Sequence, residues 1–201
     1  MVEESKLSDV ELNERYNEQR RKFYAAVADC ECMSSATAGR QTNERRWWTS
    51  VIYARLCTTA ISIIKVLPGP RLGSKDVGPL DGHWDFTAVA VLTRTLFENR
   101  LALYYLCLEE IDEDEWRSRL NLMQLHDFYS RKKVFDDMAP EDTPSLENDC
   151  RVLEDLTNKL RSRKYFQSLG PKQQREFLRG DRSSFLNHEE ILSRMGVAEP
   201  R

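Results

Sequence analysis

The segment 86–108, FTAVAVLTRTLFENRLALYYLCL, decides the fold class of this chain. It is rich in helix-forming apolar residues, and its only charged side chains are Arg94, Glu98 and Arg100. A charge at the centre of a bilayer costs about 2.5 to 3.5 kcal/mol on insertion scales, and all three lie near the middle of the segment. The segment therefore predicts a buried helix of a helical bundle rather than a membrane span.

Capping motifs predict where the other helices begin, because Ser, Thr, Asn or Asp three residues before Glu satisfies free backbone N–H groups. The predicted helices run from Ser8 to about Ala38, from Thr42 or Asn43 to Leu67, from Asp112 to about Met138, from Thr143 and Pro144 to about Lys164, from Gly170 onward, and from Asn187 to Gly196. We expect the second helix to be largely buried from Val51 onward. No segment alternates as a strand does, so the pattern predicts an all-α bundle of about five main helices plus short C-terminal helices.

Length and composition predict one helical domain over residues 1–201, with a long loop at 68–83 and a small helical segment at 170–201. The net charge of −3 gives no general basic excess for nucleic acid binding. Charge is nevertheless uneven: residues 109–115 are acidic and 151–182 are basic, which could steer a partner or a second copy of the chain. Five cysteines, an odd number, indicate no disulfide framework, and the polar N-terminus lacks a signal pattern. We expect a cytoplasmic protein.

Arg94 and Glu98 are spaced to touch on one face of the third helix, and Tyr105 lies on the same stripe. Two interpretations remain open. The pair is either a buried ion pair that fixes the register of the bundle, or it faces a polar pocket with Tyr105. In such a pocket the guanidinium would bind an anionic group of a small ligand and the carboxylate would accept a proton.

Arg119 and His126 lie two turns apart on the fourth helix, within about 20° of the same face. An Arg and a His separated by four to six residues resemble the motif of the HEPN ribonucleases, which are all-helical dimers. The resemblance implies catalysis without metal, with His126 in proton transfer and Arg119 on phosphate charge. Leu120 stands where that family commonly has a polar residue, and Arg182 and His188 show a similar spacing. A surface Arg and His are the other interpretation.

Other chemical motifs are missing from the sequence. It has no glycine-rich nucleotide loop and no nucleophile elbow, and its three histidines are far apart, so we expect no cofactor and no metal site. The Trp47–Trp48 pair next to Arg45 and Arg46 could stack on bases, but we favour contact with a second protomer.

The middle of the chain resembles a family of bacterial all-helical proteins whose domain has no assigned function. The resemblance rests on Asp85, the Leu-x-Arg-x-x-x-Glu pattern at 92–98, the aromatic turn at 104–106 and the acidic helix start at 113–119. It covers about 40 residues and implies only that Arg94 and Glu98 belong to the family's pattern.

Together these features predict a bacterial binding or interaction module without a membrane segment. It would be a homodimer formed through Trp47 and Trp48 or through the basic C-terminal part, with a polar pocket at Arg94, Glu98 and Tyr105. The alternative is a HEPN-like, metal-independent endoribonuclease acting on RNA in phage defence or a toxin system, with Arg119 and His126 catalytic.

Overall fold

The computed structural model describes residues 8–67, 73–74, 78–79, 85–138 and 145–197, and these are mainly α-helical, which confirms the all-α prediction. The contacts divide the chain into two compact units, Met1–Leu103 and Tyr104–Arg201, where the sequence predicts one domain. We call these the N-terminal unit and the C-terminal unit and describe each by itself.

The N-terminal unit contains three long helices, α1 (Asp9–Thr37), α2 (Glu44–Val66) and α3 (Phe86–Leu103). The predicted capping box of α1 is present, with Ser8 and Glu11 bonded to each other's backbone N–H groups, and Gly39 follows the helix with a φ of 74°. The Asn43 side chain caps α2. Of the predicted loop, the structure describes two short antiparallel strands, β1 (Gly73–Ser74) and β2 (Gly78–Pro79).

Helix α2 packs against both α1 and α3, but little of this unit is enclosed. The buried hydrophobic residues among those described are Val27, Ile52, Cys57, Ala60, Ile63 and Leu101. The predictions that α2 is largely buried after Val51 and that α3 is a buried bundle helix are therefore wrong. Their apolar residues are distributed around the whole helix, whereas each neighbouring helix covers only one side.

The C-terminal unit begins with a π-helical turn, Tyr104–Leu108, in place of the last turn of the predicted third helix. Five helices follow: α4 (Glu113–Met138), α5 (Ser145–Arg161), α6 (Lys164–Ser168), α7 (Pro171–Phe177) and α8 (His188–Arg194). The predicted starts at Gly170-Pro171 and Asn187 are confirmed. The fifth predicted helix ends at Arg161 rather than near Lys164, and its predicted start, Thr143 and Pro144, lies outside the described residues.

A continuous hydrophobic cluster fills the C-terminal unit. Its buried members come from α4, α5, α6, α7 and the segment before α8, namely Leu122, Leu125, Leu160, Phe166, Phe177 and Phe185. The rings of Phe177 and Phe185 meet edge to face with their centroids 4.9 Å apart, the arrangement that the quadrupoles of aromatic rings favour. This unit has a closed core of its own.

Candidate functional site

Arg94 and Glu98 form the predicted contact, with Arg94 Nε 2.9 Å from Glu98 Oε1. The pair lies on the exposed side of α3, where 79% of the Arg94 side chain and 44% of the Glu98 side chain are accessible to solvent. The interpretation of this pair as a buried ion pair is therefore wrong. Its role in binding a ligand stays a prediction, and the structure shows an open helix face around it rather than an enclosing cavity.

Tyr105, the third predicted pocket residue, belongs to the C-terminal unit and is buried in the π-helical turn. Its hydroxyl oxygen accepts a hydrogen bond of 3.0 Å from the backbone N–H of Phe185. Burial raises the pKa of the Tyr105 hydroxyl, and the Phe185 hydrogen bond and the nearby Arg119 offset only part of that rise. Tyr105 is therefore a neutral phenol at physiological pH that anchors the segment before α8.

Arg119 is almost fully enclosed, with 1% of its side chain exposed. Its guanidinium donates hydrogen bonds to Glu109, to Glu115 and to the carbonyl oxygen of Tyr105, the last at 2.6 Å. It also lies over the Tyr105 ring, 4.1 Å from the centroid, which is a cation–π geometry. Two carboxylates, one carbonyl and one aromatic face thus surround this cation.

The π-helical turn explains why a carbonyl is available to Arg119. The last carbonyls of a helix have no intrahelical partner, and a π turn displaces them further from the usual pattern. In this protein the Tyr105 carbonyl accepts from Arg119, and the Leu106 carbonyl accepts from Trp116 Nε1 at 2.9 Å. Two buried side chains of α4 therefore each donate a hydrogen bond to one carbonyl of the π turn.

Glu109 joins this group to the last helix. It accepts from Arg119 and, through its other oxygen, from Arg194 at 2.7 Å, while the Tyr104 hydroxyl donates to the Arg194 carbonyl at 2.7 Å. Burial by itself would raise the pKa of Glu109, but the hydrogen bonds from Arg119 and Arg194 outweigh it and hold the pKa below its usual value. Glu109 is therefore a carboxylate held between two guanidinium groups.

His126 lies on α4 with its ring Nδ1 2.7 Å from the carbonyl oxygen of Gly180. A carbonyl only accepts hydrogen bonds, so Nδ1 must bear the proton, and a neutral ring then has its lone pair on Nε2. Gly180 has a φ of 75°, and its backbone passes close to the ring of Tyr129. A positive φ favours glycine, so this residue allows the chain to place its carbonyl against His126.

His126 lines an open groove of about 530 Å³ in the C-terminal unit. The groove is otherwise formed by the chain from Asp181 to Glu189, including Arg182 and His188. Arg119 is not among the lining residues, because its guanidinium is held by Glu109 and Glu115. The structure thus places the two predicted catalytic residues on one helix, but only His126 faces this groove.

Sequence reasoning missed the residues that surround Arg119 and His126: Glu109, Glu115, Gly180 and Arg194. The i,i+4 spacing of Glu115 and Arg119 is a local signal that could have identified one of them. The other residues contact the site from distant positions in the sequence. Glu109, for example, is bonded to Arg119, 10 residues away, and to Arg194, 85 residues away. No spacing rule finds such contacts.

The structure also bears on the predicted absence of a metal site and on the tryptophan pair of α2. Among the residues that the structure describes, no group of three or more His, Cys, Asp or Glu side chains is arranged to hold a metal ion. In the N-terminal unit, the Trp47 and Trp48 rings meet edge to face with centroids 5.0 Å apart, and Trp47 is 52% exposed.

Helix α2 is, by length and composition alone, apolar enough to cross a membrane, and α3 does not meet the same test. The resemblances given above stay predictions. Comparison of the chain with models of protein families, with curated proteins and with solved structures found no significant match.

Proposed function

We propose that the protein is an interaction module that self-associates through the N-terminal unit. The observation that supports this most directly is the distribution of exposed apolar side chains. Each helix of the N-terminal unit has large hydrophobic residues in water, among them Leu12 on α1, Trp47 on α2 and Phe97 on α3. Among the described residues, most of the exposed large hydrophobic side chains belong to this unit, and exposed apolar surface concentrated in one part of a folded protein is typical of an interaction site.

A protein partner fits this surface better than a lipid bilayer does. The apolar helix α2 has Arg55 near its middle, and that residue is exposed. Arg94 and Glu98 occupy the corresponding position on α3. Placing such charges at the centre of a bilayer is costly, whereas a protein surface can offer them a partner of opposite charge.

Sedimentation velocity over a range of protein concentrations tests the proposal. We expect the wild type to shift from monomer to dimer as concentration rises. A variant with one polar substitution on each N-terminal helix, Leu12→Gln, Trp47→Gln and Phe97→Gln, should stay monomeric at concentrations where the wild type is dimeric. All three positions are exposed, so these changes should leave the fold intact.

The C-terminal unit offers a matched control. Leu108→Gln, Val134→Gln and Val152→Gln remove exposed apolar side chains of similar kind from that unit and should leave association unchanged. A wild type that remains monomeric at every concentration would refute the proposal, and so would one that instead sediments with phospholipid vesicles. Equal effects of the two triple variants would also count against it.

A second candidate function, the metal-independent endoribonuclease, is supported by the geometry of His126. The Gly180 carbonyl fixes its tautomer, which leaves Nε2 of a neutral ring as a proton acceptor in an open groove. If this candidate is right, the wild type cleaves single-stranded RNA in the presence of a chelator and His126→Ala does not. Intact RNA with the wild type, or equal cleavage by the variant, would reject it.

A further inference from the structure

The outer face of α3 differs from the other exposed apolar surfaces of the N-terminal unit because it combines apolar side chains with one ion pair. We define this face by Ala90, Val91, Arg94, Phe97 and Glu98, all of which are exposed. The opposite side of α3 packs against α2, where Asn99 Nδ2 lies 3.4 Å from Thr59 Oγ1. The outer face therefore has no partner among the described residues.

The charges on this face are arranged so that the face is complementary to a copy of itself. In a two-fold symmetric interface, if residue i of one chain contacts residue j of the other, then j also contacts i. Arg94 and Glu98 are one cation and one anion, four residues apart. Two copies of α3 packed antiparallel about an axis near residue 96 would bring each Arg94 opposite Glu98 of the second copy.

The same register buries apolar surface. Phe97 lies one residue from that axis, a rise of about 1.5 Å along the helix, so it would pack against Phe97 of the second copy. Val91 lies further from the axis, at the other edge of the outer face and about 120° around the helix from Phe97, and both residues are exposed in the single chain. Apolar contact at the centre with a symmetric pair of ionic contacts beside it is a suitable composition for a specific interface.

We propose that α3 pairs antiparallel with α3 of a second copy, and that Arg94 and Glu98 exchange their intrahelical partner for the partner in the other chain. This inference rests on the proposed function, since it names the face through which the N-terminal unit self-associates. The outer face spans nine residues, a rise of about 12 Å along the helix. Such a contact is small compared with a standard interface, so association is weak and is measured at micromolar to millimolar protein concentrations.

Charge reversal tests the pairing directly. Arg94→Glu gives a face with two carboxylates, and Glu98→Arg gives a face with two guanidinium groups. In a homodimer of either variant, four like charges would meet at the interface, two from each chain. We therefore expect dimerisation of each variant alone to be at least tenfold weaker than that of the wild type. An equimolar mixture of the two variants should recover a heterodimer, because one face is now wholly negative and the other wholly positive.

Recovery on mixing is the decisive result. The like charges within each helix remain in the mixture, so only a contact between chains can restore association. The matched control is Glu18→Lys, which reverses one member of an exposed i,i+4 pair with Lys22 on α1 and should leave dimerisation unchanged. Circular dichroism of each variant confirms that its helices are retained.

The outcomes separate this inference from the proposed function. If the single variants dimerise like the wild type, or if their mixture stays monomeric, α3 pairing is wrong. In that case, loss of association in the triple Gln variant would still support the N-terminal unit as the interaction module. If the wild type never associates, both proposals fail.

Discussion

The two units of this chain bury their apolar side chains to different extents. All of the largest fully buried side chains, among them Trp116, Leu122 and Phe166, belong to the C-terminal unit. The N-terminal unit buries few residues, and most of the exposed large hydrophobic side chains among the described residues belong to it, including Phe86, which is 71% exposed. The difference is that the C-terminal unit encloses a core within a single chain, whereas the N-terminal unit leaves apolar side chains in water, and it is there that we propose a partner binds.

The charged pairs show the same contrast. In the C-terminal unit Arg119 is enclosed by Glu109 and Glu115, so its removal would leave Glu115 without its ion-pair partner and Glu109 with Arg194 alone. In the N-terminal unit Arg94 and Glu98 contact each other in water. A buried charge is far more costly to leave without its partner than an exposed one. Four predictions test this comparison.

Arg119→Ala should give the largest loss of stability. Breaking a buried ion pair typically costs about 3 to 5 kcal/mol, and this change also leaves the Tyr105 carbonyl without its donor. The matched variant Arg94→Ala should lower the free energy of unfolding by less than about 1 kcal/mol, because the ion pair of Arg94 with Glu98 is exposed. Urea unfolding followed by circular dichroism measures both. Equal losses would contradict the contrast between the units.

Leu125→Ala should lower the free energy of unfolding by about 2 to 5 kcal/mol, because Leu125 is fully buried in the hydrophobic cluster and its truncation leaves a cavity. Leu12→Ala makes the same chemical change on the exposed side of α1 and should alter stability by about 0.5 kcal/mol or less. The free energies of unfolding from urea titration provide the comparison. A large cost at Leu12 would show that α1 is better packed than its exposure indicates.

Gly180→Ala and Gly39→Ala compare two glycines with similar positive φ, one in each unit. Both variants incur backbone strain, but only at Gly180 would the new Cβ overlap a neighbouring side chain, the ring of Tyr129. We therefore expect Gly180→Ala to be about 1 to 3 kcal/mol more destabilising than Gly39→Ala. The midpoint temperatures of thermal unfolding of the two variants test this difference. Equal midpoints would show that the Tyr129 ring does not lie against Gly180.

Acid should weaken the C-terminal unit through Glu109. Its pKa in the folded protein is below that of the unfolded chain, so its stabilising effect is complete above the ordinary glutamate pKa of about 4.3 and is lost as the pH falls below that value. Glu109→Gln should be less stable near pH 7 and should lose less stability than the wild type between pH 5 and pH 3. Urea midpoints between pH 5 and pH 3 measure how the stability of each protein depends on pH. The same pH dependence for the wild type and for Glu109→Gln would disprove this role of Glu109.

Helix boundaries were predictable because capping is local. The starts at Ser8, Asn43, Gly170 and Asn187 each depend on a side chain or a backbone torsion within three residues of the helix end. The π-helical turn at Tyr104–Leu108 was not predicted. Its Tyr105 and Leu106 carbonyls accept hydrogen bonds from Arg119 and Trp116, which follow them by 14 and 10 residues, so the local sequence gives no sign of the π turn.

The sequence by itself determined the helical class, most helix ends and the contact between Arg94 and Glu98, since all of these depend on residues at most four positions apart. Only the tertiary structure decided which charges are buried. Arg94, in the most apolar segment of the chain, is exposed, and Arg119, on a strongly charged helix, is enclosed. Burial depends on which elements pack against a helix face, and the partners of Arg119 are brought to it by the π turn and the acidic segment before α4. Long-range packing, rather than local composition, therefore determines which charges this protein desolvates.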